Sequence, residues 1–302
     1  MTDPAILTED LTKQYGRRRG LDGLDLTVQP GEVFGYLGPN GAGKTTTIRL
    51  LLDLIRPTSG QVWVLGCDPR AAGIALRRRI GYLPGDFTVD GRQPAREFLT
   101  YLANLRGGVP RPRIDALAGR LNLDLGARIH SLSKGNRQKV GLVQAFMHTP
   151  DLLILDEPTS GLDPLVQHEF LAMVREARAA GQTVFMSSHV LSEVQQTADR
   201  VGILRDGQLV AVEAVETLRQ RAVRRVEIHF DAPVPAPAFA ELPEVRDVQI
   251  DGAVLRCRLD GRADALVKAA GRFTVLSLLA TEPDLEEVFF TYYQTGQNGC
   301  AA

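Results

Sequence analysis

Cysteine is scarce in this chain of 302 residues, and the few cysteines are far apart. Cys67, Cys257 and Cys300 are odd in number and include no Cys-x-x-Cys pair. The sequence therefore predicts neither a disulfide framework nor a zinc site, and a reducing cytoplasm fits this cysteine usage best.

Long hydrophobic runs are absent as well. No uninterrupted apolar run approaches the ~18–20 residues that a membrane-spanning helix needs, and segments such as Leu152–Leu155 have the length of strands. The N-terminus Met1–Pro4 has neither a basic start nor an apolar stretch, so we expect no secretory signal. Together these absences predict a soluble chain.

An excess of charge of either sign is also missing. The chain has 35 Lys and Arg against 36 Asp and Glu, a net charge of −1. Nucleic-acid binding normally leaves a basic surplus or patch, so we expect no nucleic-acid partner. We interpret the short clusters Arg17–Arg19 and Arg77–Arg79 as solvated surface. The length leaves room for one large α/β domain and a smaller one.

A phosphate-binding loop is the most informative feature that is present. Gly38–Thr45 match the pattern G-x-x-x-x-G-K-[ST] between a predicted strand, Val33–Leu37, and a predicted helix, Thr46–Leu52. The glycines let backbone N–H groups surround a phosphate at the positive end of the helix dipole. We expect Lys44 to reach the β- and γ-phosphates and the Thr45 hydroxyl to hold Mg²⁺. A chance glycine-rich turn is the alternative.

The segment Asp151–Glu157 is an apolar strand that ends in two carboxylates. Such a strand can deliver Asp156 as a second Mg²⁺ contact beside the phosphate loop. Glu157 would then hold the attacking water and accept its proton. Taken alone, two acids after a strand indicate a solvated loop equally well, and it is the phosphate loop that makes the pair specific.

Two other segments carry weaker signals. Ser133 has the chemistry of an N-cap and Gly135 permits close backbone approach, which alone indicates only a well-capped helix. His189 follows the predicted strand 182–187, where an imidazole can hydrogen-bond a γ-phosphate, although a lone histidine is usually structural.

The remaining pattern predicts alternating α/β structure followed by a small α+β segment. Residues 4–35 predict a meander of strands, the helix after the phosphate loop should end near Ile55 before a turn at 57–60, and 92–148 are helical in texture. Further predicted strands are 61–66, 152–156, 200–205, 208–212, 224–230, 245–250, 253–259 and 273–279, and further helices are 164–180, 190–199, 262–270 and 284–293.

Together the motifs resemble those of the ATP-binding cassette (ABC) ATPases over about residues 5–215. Gly38–Thr45 match Walker A, and Leu152–Asp156 match Walker B with Glu157 as the catalytic base. Leu132–Asn136, LSKGN, look like the family signature, usually LSGGQ, and Ser160–Asp163 look like the D-loop. His189 matches the switch histidine, and Tyr15 matches the aromatic residue that stacks on adenine. An edge-strand tyrosine remains the alternative for Tyr15.

The resemblance implies three overlapping sets of site residues. The catalytic set is Glu157, His189 and Lys44, and the Mg²⁺ ligands are Thr45 and Asp156. The nucleotide-binding set is Tyr15, Gly38, Pro39, Asn40, Gly41, Ala42, Gly43, Lys44, Thr45, Thr46, Ser133, Gly135 and Asp163.

Two positions depart from the family pattern. After the predicted strand Ile80–Pro84 the family has a Gln that contacts Mg²⁺ and senses the γ-phosphate, whereas this chain has Gly85 followed by Asp86. The sensing role is therefore lost, or is taken by Asp86 or a water. The signature retains Ser133 and Gly135, so we expect nucleotide binding to survive and turnover to be slow.

The resemblance also implies a fold and an assembly. We expect a P-loop NTPase with a RecA-like core, an antiparallel β subdomain and a helical subdomain at about 86–148, in a nucleotide-binding domain spanning 1–215. A small C-terminal α+β domain, 222–295, would be accessory or regulatory. Its ending Pro283–Phe290 is similar to that of bacterial ABC-2-type exporter ATPases, including those of daunorubicin-type resistance.

The implied function is ATP hydrolysis, with ATP and Mg²⁺ as cofactors, coupled to export of a drug, an antibiotic or a lipid-like substrate. Two copies, expected to be identical, would enclose two ATP molecules and drive a separate transmembrane permease from the cytoplasmic face of the membrane. Two alternatives stay open, a soluble ABC-type ATPase acting on ribosomes or DNA and a nucleotide-binding regulator without turnover.

Overall fold

The computed structural model describes residues 3–89, 91–221 and 224–281. The chain divides into two compact units, Met1–Glu213 and Ala214–Ala302, and each is described by itself. No helix within the described ranges is both long and apolar enough to cross a membrane.

The first unit contains two sheets. Its strands are β1 (Ile6–Tyr15), β2 (Arg18–Val28), β3 (Val33–Leu37), β4 (Ser59–Val64), β5 (Ile80–Leu83), β6 (Leu152–Asp156), β7 (Thr183–Ser188), β8 (Arg200–Arg205) and β9 (Gln208–Ala214). β2, β1 and β4 form an antiparallel sheet in that order. The other sheet has the order β5-β6-β7-β3-β8-β9, in which β3, β5, β6, β7 and β8 pair in parallel.

Every residue of β3, β6 and β7 is buried, as expected for parallel strands covered on both faces. The ends of β6 and β7 are in register, with Asp156 opposite Ser187. The carboxyl ends of these strands meet at one edge of the sheet, where ligands bind in folds of this kind.

Helices flank and connect these strands. They are α1 (Lys44–Leu51), α2 (Pro69–Arg78), α3 (Ala95–Leu105), α4 (Arg111–Arg120), α5 (Lys134–Phe146), α6 (Pro164–Ala179) and α7 (Leu191–Gln195), with a 3₁₀ turn at Ile129–Ser131. Arg120 on α4 forms ion pairs with Glu169 and Glu176 on α6 and so joins the helical segment to the rest of the unit. On α3, Leu99 is buried, whereas Tyr101 and Leu105 are exposed.

The main core packs around the strand and the helix that flank the phosphate loop. The rings of Phe34 on β3 and Phe185 on β7 stack with centroids 5.9 Å apart. The Tyr36 hydroxyl lies 3.1 Å from Oγ1 of Thr47 on α1, and burial raises the pKa of this phenol. Strand and helix are thus fixed to each other on both sides of the loop that joins them.

Several predicted bounds differ from the structure. β4 begins at Ser59, inside the predicted turn, because Gly60 adopts a φ of +80° directly against the Asp10 carbonyl, where a Cβ would lie at 2.1 Å. The predicted helix 190–199 is limited to Leu191–Gln195, since the Asp199 N–H already bonds to Val33 ahead of β8. The pattern gave no signal for α2, which Gly73 interrupts with non-helical angles.

The second unit is a four-stranded antiparallel sheet with short helices. Its elements are α8 (Val215–Arg221), β10 (Arg224–Phe230), α9 (Pro237–Ala240), β11 (Val245–Asp251), β12 (Val254–Leu259), α10 (Asp264–Ala270) and β13 (Val275–Thr281). The strand order is β11-β12-β10-β13. The rings of Phe230, Phe239 and Phe273 pack together in its core. The predicted helix 284–293 and the segment Pro283–Phe290 lie outside the described residues.

Candidate functional site

The phosphate loop joins β3 to α1, which begins at Lys44. Gly43 adopts a φ of +116°, and a Cβ there would lie 2.7 Å from the Gly20 carbonyl oxygen, so the position requires glycine. No side chain caps α1, which leaves its first N–H groups available to an anion. A cavity of about 380 Å³ opens above the loop, lined by Tyr15, Arg18, Arg19, Gly20, Pro39, Asn40, Gly41, Gly43, Lys44, Thr45, Thr46, Arg49 and Glu157.

Two residues of the predicted phosphate loop, Gly38 and Ala42, do not line this cavity. Gly38 packs against Leu204, whose carbonyl oxygen would be 2.6 Å from a Cβ on the glycine. Ala42 is buried, and its N–H donates to the Pro39 carbonyl at 3.2 Å. Both residues shape the loop instead of facing the cavity.

Lys44 is buried and points back over the loop that precedes it. Its Nζ donates to the Gly38 carbonyl at 2.6 Å and to the Pro39 carbonyl at 3.3 Å. The same ammonium lies 3.1 Å from Oε1 of Glu157. Lys44 therefore links the phosphate loop to the end of β6.

Asp156, the last residue of β6, is 1% exposed and accepts hydrogen bonds at both carboxylate oxygens. Thr45 Oγ1 donates to Oδ2 at 2.8 Å, and Ser187 Oγ donates to Oδ1 at 2.5 Å. Carboxylate and hydroxyl oxygens are the hard ligands that Mg²⁺ prefers. The pair formed by Thr45 and Asp156 therefore offers oxygen ligands beside the phosphate loop.

Glu157 has a φ of +47°, in the left-handed region that is rare for residues with side chains. Its N–H lies 3.3 Å from the carbonyl and 3.1 Å from the hydroxyl oxygen of Ser187. Its own carbonyl accepts from Gln138 Nε2 at 3.3 Å. Both backbone polar groups are thus held by neighbouring elements, which fixes where the carboxylate points.

The Glu157 carboxylate lies between a lysine and a histidine. Oε2 is 2.6 Å from Nδ1 of His189, which follows β7, and Oε1 is close to Lys44. Oε1 is buried and, apart from the Lys44 ammonium at 3.1 Å, has no polar partner among the described residues. A buried carboxylate oxygen with unused acceptor capacity is suited to hold a water molecule.

A second cavity, of about 450 Å³, adjoins this carboxylate. Its lining includes Asn40, Thr45, Arg49, Tyr82, Pro84, Gly85, Asp86, Asp156, Glu157, Ser160 and His189. A Cβ on Gly85 would lie 3.2 Å from Asp156 Oδ2, so the backbone after β5 approaches the carboxylate directly. Burial and the Asp156 charge raise the pKa of Tyr82 to about 12.

The remaining predicted residues line neither cavity. Ser133 caps α5, accepting from the Asn136 N–H at 3.3 Å, and is exposed. A Cβ on Gly135 would lie 2.5 Å from the Gly161 carbonyl oxygen, so the start of α5 rests on the segment before α6. Asp163 caps α6 through the Val166 N–H at 3.0 Å.

The structure thus brings Lys44, Thr45, Asp156, Glu157 and His189 together at one edge of the sheet. Tyr15 lines the phosphate-loop cavity and is 45% exposed, with Lys13 Nζ 5.4 Å from its ring centroid. Sequence reasoning missed Ser187 and Gln138. Ser187 carried a usable signal, because it is a polar residue at the end of the strand paired with β6.

Sequence comparison shows close relatives of this chain. The ABC transporter family matches residues 21–160. The chain is 35% identical to the bacitracin transport ATP-binding protein BcrA of Bacillus licheniformis, covering 94% of this chain and 95% of that protein. It is 34% identical to the Nod factor export ATP-binding protein I of Paraburkholderia xenovorans, covering 96% and 97%.

Solved structures show the same fold. An ATP-binding subunit of an ABC transporter superposes with a TM-score of 0.66 at 30% identity, covering 72% of this chain and 92% of that one. A dimeric ATP-binding cassette bound to ADP and Pi superposes with a TM-score of 0.64 at 22% identity, covering 70% and 98%. The fold is therefore that of a P-loop NTPase, and the chain belongs to the ATP-binding proteins of the ABC transporter family.

Proposed function

We propose that this chain is the ATP-hydrolysing subunit of a bacterial ABC exporter. The observation that carries the proposal is the Glu157 carboxylate, held between Lys44 and His189 beside the oxygen pair of Thr45 and Asp156. This arrangement lies next to an uncapped helix N-terminus on a glycine-rich loop.

The residues fit ATP and Mg²⁺. Open N–H groups at α1 and the glycines at 41 and 43 suit a phosphate chain. The two described oxygen ligands suit an Mg²⁺ ion that takes its other ligands from phosphates and water.

In this proposal Glu157 is the general base. Once Lys44 turns to the phosphates, Oε1 would hold the attacking water and take its proton, and the fixed backbone of Glu157 keeps the carboxylate in place. Lys44 would move its ammonium from the Gly38 and Pro39 carbonyls to phosphate oxygens. His189 would orient the carboxylate and contact the γ-phosphate. When bound, Mg²⁺ would neutralise charge that develops on the phosphates.

In this proposal each copy carries an incomplete nucleotide site, which would account for the predicted residues that line neither cavity. Ser133 and Gly135 lie at the exposed start of α5, where N–H groups and the helix dipole favour an anion. We propose that they, with Asp163, complete the nucleotide site of a second, identical copy. A dimeric ATP-binding cassette with this fold supports the pairing of two copies.

We further propose a separate transmembrane permease as partner and a location at the inner face of the cell membrane. The named relatives are transport and export proteins for bacitracin and Nod factor, which supports export of a drug, antibiotic or lipid-like substrate over the ribosome- or DNA-associated alternative, without deciding among these substrates. We also propose the ABC-2-type exporter subfamily, with a nucleotide-binding domain at 1–215 and an accessory C-terminal domain at 222–295; the similarity to the bacitracin transport protein covers 94% of this chain and so extends into that domain.

The test compares the wild type with Glu157→Gln, using Glu97→Gln on the exposed start of α3 as control. We expect wild type and control to release phosphate from Mg²⁺-ATP, and Glu157→Gln to bind ATP as a dimer while losing at least about a hundredfold in turnover. Phosphate release, ATP affinity and molecular mass in solution are measured on each protein. A wild type that binds ATP yet releases no more phosphate than Glu157→Gln would establish a regulator without turnover instead.

A further inference from the structure

Arg18 lies at the rim of the phosphate-loop cavity, beside the residue expected to contact the base. It is the first residue of β2 and pairs directly with Tyr15, the last residue of β1. Side chains at directly opposite positions of an antiparallel pair lie on the same face of the sheet. One hairpin therefore presents an aromatic ring and a guanidinium side by side.

The guanidinium reaches across to the phosphate loop. Nη2 of Arg18 lies 4.0 Å from the position that a Cβ on Gly41 would occupy, and Arg18 lines the same cavity as Lys44 and Thr45. Gly41 has a φ of +83°, in the part of the loop whose backbone curves around the cavity. A phosphate held by the loop would thus be within reach of this side chain.

The neighbouring arginines differ from Arg18 in their partners. Arg19 forms an ion pair with Asp22 at 2.8 Å, and Asp22 also accepts from Gln208. Arg17 does not line the cavity. Within the described ranges the Arg18 guanidinium has neither a carboxylate nor a hydrogen-bond partner. Of three consecutive arginines, one is available at the cavity.

The charges around the cavity favour an anion at this point. Arg18, Arg19, Arg49 and Lys44 line it together with a single carboxylate, Glu157. Glu157 is already paired with Lys44, and Arg19 with Asp22. A guanidinium offers a planar fork of donors that matches phosphate oxygens in two parallel hydrogen bonds.

We propose that Arg18 is a nucleotide-binding residue whose guanidinium binds the phosphate chain while Tyr15 of the same hairpin contacts the base. This inference rests on the nucleotide site of the proposed function and assigns to one arginine a role that the sequence pattern did not indicate. It makes the β1–β2 hairpin a clamp with one polar and one aromatic contact.

The experiment separates the phosphate contact from the base contact. Affinities for ADP and, by competition, for inorganic pyrophosphate are measured on the full chain with Arg18→Ala, Arg18→Gln, Tyr15→Ala and the matched control Arg17→Ala. We expect both Arg18 variants to weaken ADP and pyrophosphate by a similar factor of about ten. Tyr15→Ala should weaken ADP alone, and Arg17→Ala should change neither by more than about twofold.

Thermal unfolding of each variant shows whether the hairpin remains folded, and Arg18→Gln keeps the length of the side chain. Equal affinities in the Arg18 and Arg17 variants would overturn the proposal. So would a loss for ADP without a loss for pyrophosphate, because Arg18 would then act through the base contact. A wild type that binds neither probe would instead overturn the nucleotide site itself.

Discussion

Gln138 on α5 holds the backbone of Glu157 at the end of β6. Its buried amide donates to the Glu157 carbonyl at 3.3 Å and to the Pro158 carbonyl at 3.1 Å. With the Ser187 contacts to the N–H group, this leaves the strained φ of Glu157 fixed from two sides.

Replacing Gln138 should therefore lower turnover without weakening nucleotide binding. Gln138→Leu leaves two carbonyls without their donor, so the Glu157 carboxylate loses its orientation. We expect kcat to fall about tenfold, with the ADP dissociation constant unchanged. Steady-state phosphate release and ADP titration measure the two quantities.

Gln144→Leu is the matched control, since Gln144 is a buried amide on the same helix that donates to the Tyr82 carbonyl. Equal losses of kcat in the two variants would mean that Gln138 serves only to stabilise the helix. A parallel loss of ADP affinity would likewise contradict a positioning role.

Ser187→Ala should raise the Mg²⁺ concentration that ATP hydrolysis requires. The hydroxyl donates to Asp156 Oδ1 at 2.5 Å, so its loss leaves that buried oxygen without a donor and the carboxylate held by Thr45 alone. We expect the free energy of unfolding to fall by about 1–2 kcal/mol and the Mg²⁺ midpoint to rise severalfold. Urea unfolding and Mg²⁺ titration of phosphate release give both values. Ser188→Ala, which loses bonds to Val190 and Glu193 instead, should leave the Mg²⁺ midpoint in place.

Placing the family glutamine at position 85 should not improve this enzyme. A Cβ there would lie 3.2 Å from Asp156 Oδ2, closer than side chains normally approach, so either the loop or the carboxylate has to shift. We expect Gly85→Ala and Gly85→Gln both to raise the Mg²⁺ midpoint. Gly119→Ala on α4, where a Cβ would meet nothing within 4 Å, is the control. A higher kcat in Gly85→Gln would show that the site accommodates the side chain.

Stability should depend on pH through His148. Burial, with the nearby Arg106 charge, lowers the pKa of this imidazole to about 4. In the unfolded chain the imidazole binds a proton as the pH falls through about 6.5, whereas in the folded chain it does so only near pH 4. The contribution of the unprotonated ring to the free energy of unfolding is therefore fully present above about pH 6.5 and is lost as the pH falls toward 4. Because the ring is only half-buried, we expect the free energy of unfolding to fall by about 1–2 kcal/mol over this pH range.

The measurement is urea unfolding at pH 7.5 and 4.5 for the wild type and His148→Gln, with the exposed His168→Gln as control. The free energy of unfolding should fall more in the wild type and in His168→Gln than in His148→Gln. If the free energy of unfolding fell by the same amount between pH 7.5 and 4.5 in all three proteins, His148 would be protonated equally in the folded and unfolded states.

The parts of the fold with strong local patterns were predictable. β3, β6 and β7 are short apolar strands buried on both faces, and the glycine-rich turn at 38–43 leads into a helix in the structure as in the sequence. The helix α2 was not predictable from the sequence, because Gly73 breaks its helical pattern. The predicted start of β4 was wrong, because Gly60 indicates a turn by its residue type but lies in a strand that pairs with β1.

The contacts that complete the candidate site depend on tertiary pairing. Nothing near Arg18 in the sequence indicates that a hairpin carries it to Gly41, although the cluster Arg17–Arg19 is exposed as predicted. Gln138 likewise reads as an ordinary helical residue until α5 is packed against the end of β6. The catalytic and binding assignments of Lys44, Glu157 and His189 stay predictions for the experiments above.

The close approach of Gly135 to the Gly161 carbonyl places the start of α5 in direct contact with the turn that leads into α6. If a nucleotide bound by a second copy contacts the start of α5, as proposed above, Gln138 on the same helix connects that contact to the backbone of Glu157. In the proposed dimer, this contact would link the occupancy of one nucleotide site to the geometry of the other.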